Sequence, residues 1–205
     1  MKNTLDDGVI KFSYTLKRTR APRSDEYLDL EKWRVILYRM GLIGEYKDEK
    51  IGFGNLSRIL DSKNQVFVIT GTQTGRFANL SAHHYSKVIS CDLKKLSIKA
   101  EGLIAPSSES LTHYAIYHYH PDIHYVFHVH HHELWVRMLS ANFDRTPEDI
   151  NYGTIEMAEA AKNCINGKNN GIFAMAGHQD GIIAYGETAE DAGKMILETF
   201  KILRN

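Results

Sequence analysis

Eight of the chain's eleven histidines fall between His113 and His132, and the spacing over residues 123–130 constrains the fold more than any other segment. In an extended strand alternate residues share a face. His124, Val126, His128 and His130 therefore point one way, while Tyr125, Phe127 and Val129 point the other. The second set is apolar and asks for a core. The first presents two imidazoles together at His-x-His spacing, which suits a tetrahedral Zn²⁺ with Zn–N bonds of about 2.0–2.1 Å. A merely His-rich surface tract would have no reason to keep this alternation.

A metal site needs more ligands than two. His178, in the turn Met175-Ala176-Gly177-His178-Gln179-Asp180-Gly181, is the best distant candidate, and Asp180 is the competing one. His131 and His132 are expected to open a following helix as surface or supporting groups. The segment His132-Glu133-Leu134-Trp135-Val136 is not a zinc-protease helix, because Val136 stands where the second histidine would be needed. The adjacent pair His83-His84 reads as surface.

Composition narrows the partners. The 25 basic and 25 acidic residues cancel, which gives no reason to expect nucleic acid or an anionic membrane as partner. No apolar run approaches the roughly 20 residues that span a bilayer. Met1 to Ile10 carry three charges and no apolar signal region. Two distant cysteines, Cys91 and Cys164, form neither a disulfide framework nor a thiolate finger, and suit a reducing cytoplasm. No repeat or linker divides residues 1–205, which read as one domain.

Alternation at Ile10, Phe12, Tyr14 and Leu16 predicts a strand over residues 8–16. Ser24 as N-cap, then Leu30, Trp33, Leu37 and Met40, then Gly41, predict a helix. Residues 56–60 and 66–70 read as a hairpin, and 87–91 and 95–99 as further strands. Helices are expected over 108–118, 154–166 and after Thr188, with strands at 123–130, 172–176 and 182–185. Strands outnumber helices and tight turns join neighbours, so a largely antiparallel sheet with helices on its faces follows.

Three segments have the character of an anion pocket: Gly52-Phe53-Gly54-Asn55-Leu56-Ser57, Thr70-Gly71-Thr72-Gln73-Thr74-Gly75, and Pro106-Ser107-Ser108-Glu109. Glycines let backbone N–H groups approach a phosphate, hydroxyls add donors, and a helix N-terminus favours negative charge. Neither glycine segment matches a Walker loop or a dinucleotide fingerprint. Glu109 beside the serine pair is either a first-turn carboxylate favoured by the helix dipole or a general base.

In combination and in order, these segments resemble the class II aldolase/adducin family, whose best-known members are fuculose-phosphate aldolase and ribulose-phosphate 4-epimerase. The resemblance covers about residues 28–200. It rests on Gly54-Asn55-Leu56-Ser57, Thr72-Gln73-Thr74-Gly75, Pro106-Ser107-Ser108-Glu109, Pro121-Asp122 leading into Val126-Phe127-His128-Val129-His130, and the late His178 turn followed by Gly181-Ile182-Ile183-Ala184-Tyr185-Gly186. It implies a three-layer α/β/α sandwich around a largely antiparallel sheet. It also implies a zinc ion or other divalent metal on His128, His130 and a late histidine, and Glu109 as acid/base. A substrate phosphate would lie on Gly54, Asn55, Thr74, Gly75, Ser107 and Ser108. The implied reaction is aldol cleavage of a small sugar phosphate through an enediolate, in a homotetramer; epimerisation or dehydration at the same site, or a non-catalytic adducin-like interaction module, are the alternatives. Two departures stand out. The family's late His is followed directly by Gly, whereas Gln179-Asp180 intervene here, leaving His178 and Asp180 as rival third ligands, with His178 favoured because nitrogen completes a three-histidine set. The stretch from His130 to His178 is also shorter and lacks the segment carrying the aldolases' proton-donating tyrosine, for which Tyr152 is no convincing replacement.

Overall fold

The computed structural model describes residues 9–204. The segment read as lacking an apolar leader lies mostly outside the described residues, as does Gly8, where the alternation predicts the first strand to begin.

Eight strands form one sheet: β1 (Ser13–Arg18), β4 (Asn55–Asp61), β5 (Val66–Thr70), β6 (Tyr85–Asp92), β7 (Ser97–Gly102), β8 (Tyr125–His130), β9 (Gly171–Ala174) and β10 (Gly181–Gly186). They lie in the order β1-β7-β6-β5-β4-β8-β10-β9. Only β1 and β7 pair in parallel; every other neighbour is antiparallel. A separate two-stranded ribbon, β2 (Gly44–Tyr46) with β3 (Ile51–Phe53), sits apart from this sheet.

Both faces of the sheet are covered. On one, α2 (Ser110–Tyr119) and α4 (Ile155–Ile165) pack through Leu111, Ile116, Met157 and Ala161 onto Phe67, Val126, Phe173 and Ile183. On the other, α1 (Ser24–Arg39), α3 (His132–Ser140) and α5 (Ala189–Arg204) carry Leu30, Leu37, Leu134, Met138 and Ile196 onto Leu56, Val68, Phe127 and Ile182. This is the expected three-layer α/β/α sandwich. Because both faces are covered, the central strands are buried throughout: β10 shows no exposed position and β8 none beyond a half-buried Tyr125. No described helix is long and apolar enough to cross a membrane.

Local differences from the sequence reading have simple causes. Strand β1 begins at Ser13, and Tyr14 is 44% exposed, because this strand lies on the sheet edge with only β7 beside it. Helix α1 is capped at Arg23, not Ser24: the Glu26 carboxylate accepts from the Arg23 N–H at 2.8 Å and starts the helix one residue early. Helix α2 starts at Ser110, since Ser107 Oγ accepts from the Glu109 N–H and the preceding residues turn first. Thr188 caps α5 as expected, accepting from Asp191 N at 3.1 Å, and Thr154, read as the first residue of its helix, instead caps α4, accepting from Met157 N at 3.1 Å. His131 caps α3, with Nδ1 accepting from Leu134 N.

Candidate metal centre

Strand β8 places His128 and His130 on the face shared with Val126, beneath α2 and α4. His124 precedes the strand and is exposed. Antiparallel pairing sets Asn55 of β4 on one side of His128 and Ile183 of β10 on the other, with Gly181 opposite His130. The turn before β10 folds back on itself, with His178 N donating to Met175 O and Gly181 N donating to His178 O. That folding swings the His178 ring over β8.

The three imidazoles converge through the same atom. His130 Nε2 lies 2.8 Å from His128 Nε2 and 3.1 Å from His178 Nε2. A tetrahedral ion with bonds of about 2.0–2.1 Å spaces its ligands roughly 3.3–3.4 Å apart, so the rings need part by roughly half an ångström or less to admit one. All three are buried, at 1%, 3% and 5% exposure. Burial pushes His128 down to about 4, against a backbone hydrogen bond at Ile182 that favours the charged form, and holds His130 and His178 well below the usual histidine range, where neighbouring cationic groups add to the effect. They are therefore neutral imidazoles at pH 7, the state a metal requires. Each neutral ring carries a single hydrogen, so at most one partner donates along each of these contacts, whereas a cation at their common point could take a lone pair from all three. Among the described residues this is the one group of His, Cys, Asp or Glu side chains close enough to hold a metal.

Asp180, the rival third ligand, turns away from this point. Its Oδ1 accepts from His132 Nδ1 at 2.7 Å, and its Oδ2 accepts from the Tyr46 hydroxyl at 3.5 Å. Glu109 does come close: its Oε1 lies 4.0 Å from His178 Nε2, and the side chain is 3% exposed. The three sequence segments read as an anion pocket meet beside it. Gly52–Asn55, Gly71–Gly75 and Ser107–Glu109 line one small cavity together with His128 and His130. Hydrogen bonds from Ser107 N to Thr70 O and from Thr72 N to Ala105 O lock two of the segments together. Thr74 Oγ1 closes the turn onto Gly71 O at 2.8 Å. Gly54 has φ +79°, and a Cβ there would lie 2.7 Å from Ile43 Cγ1, so this bend belongs to glycine. Among the described residues the cavity lining carries no Lys or Arg, so an anion there would be held by N–H and hydroxyl donors. Asn55 Oδ1 is buried in this lining without a hydrogen-bond partner among the described residues. Buried polar atoms of that kind ordinarily find partners, and a bound ligand would supply one.

Gly54, Asn55, Thr74, Gly75, Ser107, Ser108, Glu109, His128 and His130 thus line one cavity, with His178 against His130 and Glu109, while Asp180, the other candidate ligand, faces His132 and Tyr46. Tyr152 is nearby, its ring edge-on to His178 at 4.7 Å between centroids, but its hydroxyl is engaged with both N and O of Val9. What sequence reasoning missed is the β2–β3 ribbon, whose Tyr46 and Phe53 lean on His130. Strands of three residues leave almost no periodicity to read.

A family profile for the class II aldolase and adducin N-terminal domain matches residues 39–204. The chain belongs to the class II aldolase and adducin family. Solved structures agree on the fold. An L-fuculose 1-phosphate aldolase shares 22% identity at a TM-score of 0.67, covering 90% of this chain and 85% of its own. The L-fuculose-1-phosphate aldolase from Thermus thermophilus shares 17% at 0.65, covering 89% and 92%. A sugar-phosphate aldolase from Thermotoga maritima shares 16% at 0.65, covering 86% and 90%. No curated protein sequence matches the chain at a significant level. At these identities the likeness to solved structures speaks for the fold, and the site's own chemistry must speak for the activity.

Proposed function

We propose that the chain is a metal-dependent aldolase that cleaves a small sugar phosphate. The observation that carries this reading is the convergence of three neutral, buried Nε2 atoms beside a cavity built of glycines and hydroxyls, with one buried carboxylate, Glu109, at their junction. His128, His130 and His178 would hold zinc or another divalent ion, which supplies Lewis-acid stabilisation of the charge that builds on the substrate carbonyl oxygen as the carbon–carbon bond breaks. Backbone N–H groups and hydroxyls of Gly54, Asn55, Thr74, Gly75, Ser107 and Ser108 would seat the phosphate and fix the substrate's orientation. Glu109, rooted where that pocket meets the histidines, would move the proton at the enediolate carbon next to the carbonyl. The family resemblance favours a homotetramer. The free thiols Cys91 and Cys164, the latter raised to about 12 by burial, fit a reducing cytoplasm.

Incubation with a panel of ketose and aldose phosphates, with product analysis, tests the reading. Appearance of an aldehyde and a smaller phosphorylated ketone supports it, with the unphosphorylated sugars turned over far more slowly. Glu109→Gln should keep the metal and the fold while losing roughly 10²–10⁴ in turnover, the usual worth of a positioned acid/base. Epimerised or dehydrated products instead of cleavage, or a Glu109→Gln enzyme with normal turnover, would overturn it.

A further inference from the structure

The β2–β3 ribbon does more than close the pocket. Phe53 stacks on the His130 ring, with centroids 5.4 Å apart and planes 28° apart, and Tyr46 packs against Phe53 at 4.6 Å. The Tyr46 hydroxyl lies 3.0 Å from His130 Nδ1, on the far side of the ring from the converging Nε2 atoms. Beyond it the contacts continue to Asp180 Oδ2 at 3.5 Å and from Asp180 Oδ1 to His132 Nδ1 at 2.7 Å. Gln179 and Asp180 are the two residues inserted between His178 and Gly181, and Asp180 holds a left-handed backbone, φ +65°, that brings its carboxylate to this place.

We propose that Tyr46 and Asp180 are positioning residues that fix the tautomer of His130 and so present its Nε2 lone pair to the cation. The inference rests on the metal site proposed above. The direction of the chain follows from donor and acceptor chemistry. A carboxylate only accepts, so His132 Nδ1–H donates to Oδ1 and the Tyr46 O–H donates to Oδ2. With the Tyr46 proton turned to Oδ2, its oxygen accepts from His130, which places the ring hydrogen on Nδ1. Nε2 is left as a lone pair. In the reverse direction Tyr46 would donate to Nδ1, and the hydrogen on Nε2 would point at His128 and His178 and block an ion. Asp180 thus decides which end of His130 can bind metal, from a position where it binds none itself. Partners of this kind, on the outer nitrogen of a ligating histidine, are typically worth about 10–100-fold in metal affinity.

The test has two arms. Nitrogen-15 NMR of the metal-free protein reads the His130 tautomer directly: the proposal expects Nδ1–H in the wild type and a mixed or inverted tautomer in Asp180→Asn, whose amide can donate where the carboxylate accepts. Competition with a chromophoric chelator reads zinc affinity: Tyr46→Phe and Asp180→Asn should each bind about 10–100-fold more weakly at unchanged stoichiometry. The double variant should be little worse than either single one, because both act along one chain. An Nε2–H tautomer in the wild type overturns the proposal, as do single variants within twofold of the wild-type affinity. If the wild type binds no zinc, the metal reading fails by itself, and the tautomer measurement still decides the role of Tyr46 and Asp180.

Discussion

Replacing Arg34 with Met should loosen the loop of residues 74–78 from helix α1. Arg34 lies on α1 among Leu30, Trp33 and Leu37 and is 1% exposed. Its guanidinium donates to three backbone carbonyls of one loop: Thr74 O at 3.1 Å, Phe77 O at 2.6 Å and Ala78 O at 3.3 Å. That loop begins with Thr74 and Gly75 of the cavity lining. Met keeps the unbranched stem and its packing but removes the guanidinium donors, leaving Thr74 O with only the Phe77 N–H at 3.2 Å. Because Thr74 O retains one donor and the other two carbonyls are half-buried and can recruit water, the loss of these charge-assisted hydrogen bonds is expected to cost about 1–3 kcal/mol in all. Equilibrium urea unfolding measures the cost, and hydrogen exchange at residues 74–78 shows where it falls. Stability within about 0.5 kcal/mol of the wild type, with exchange in that loop unchanged, would refute the reasoning.

Two substitutions probe the close approaches that shape the site. A Cβ at Gly75 would sit 2.0 Å from Gly44 O and 2.9 Å from Phe53 O, so Gly75→Ala must push the loop off the β2–β3 ribbon; a loss of about 1–3 kcal/mol and weaker binding of phosphorylated ligands by calorimetry are expected, and no change in either would count against the pocket as described. A Cβ at Gly181 would lie 2.4 Å from His178 Cδ2 and 3.2 Å from His128 Cε1, so Gly181→Ala should displace the His178 ring within an otherwise folded protein. Chelator competition should show roughly tenfold or greater weakening of metal binding in that variant, and wild-type affinity would mean His178 is not held where the structure has it.

Much of this architecture could be read from residue order because local signals agreed with the final packing. The alternation through Val126, Phe127, His128, Val129 and His130 gave both the strand and the shared histidine face, and the threonines at 154 and 188 marked two helix starts. Other features were invisible for physical reasons. Arg34 occupies an apolar helix position, four residues after Leu30, and only the carbonyls of a loop forty residues away explain why a charge is tolerated there. Tyr46 stands in a three-residue strand with no pattern, and its importance depends on a turn 134 residues later. Asp180 reads as the rival to His178 because carboxylates bind metals; its contact with His132, which needs the folded turn, is not encoded in any local pattern. The edge position of β1 likewise lies in the sheet order, which no local pattern encodes.

Metal binding by His128, His130 and His178 is open to direct measurement. Elemental analysis of untagged protein, purified without added metal, should find close to one divalent ion per chain, with zinc expected. The same measurement on the His128→Ala/His130→Ala double variant should find none, while circular dichroism shows the fold intact. A wild type without stoichiometric metal, or a double variant that retains it, would contradict the central claim.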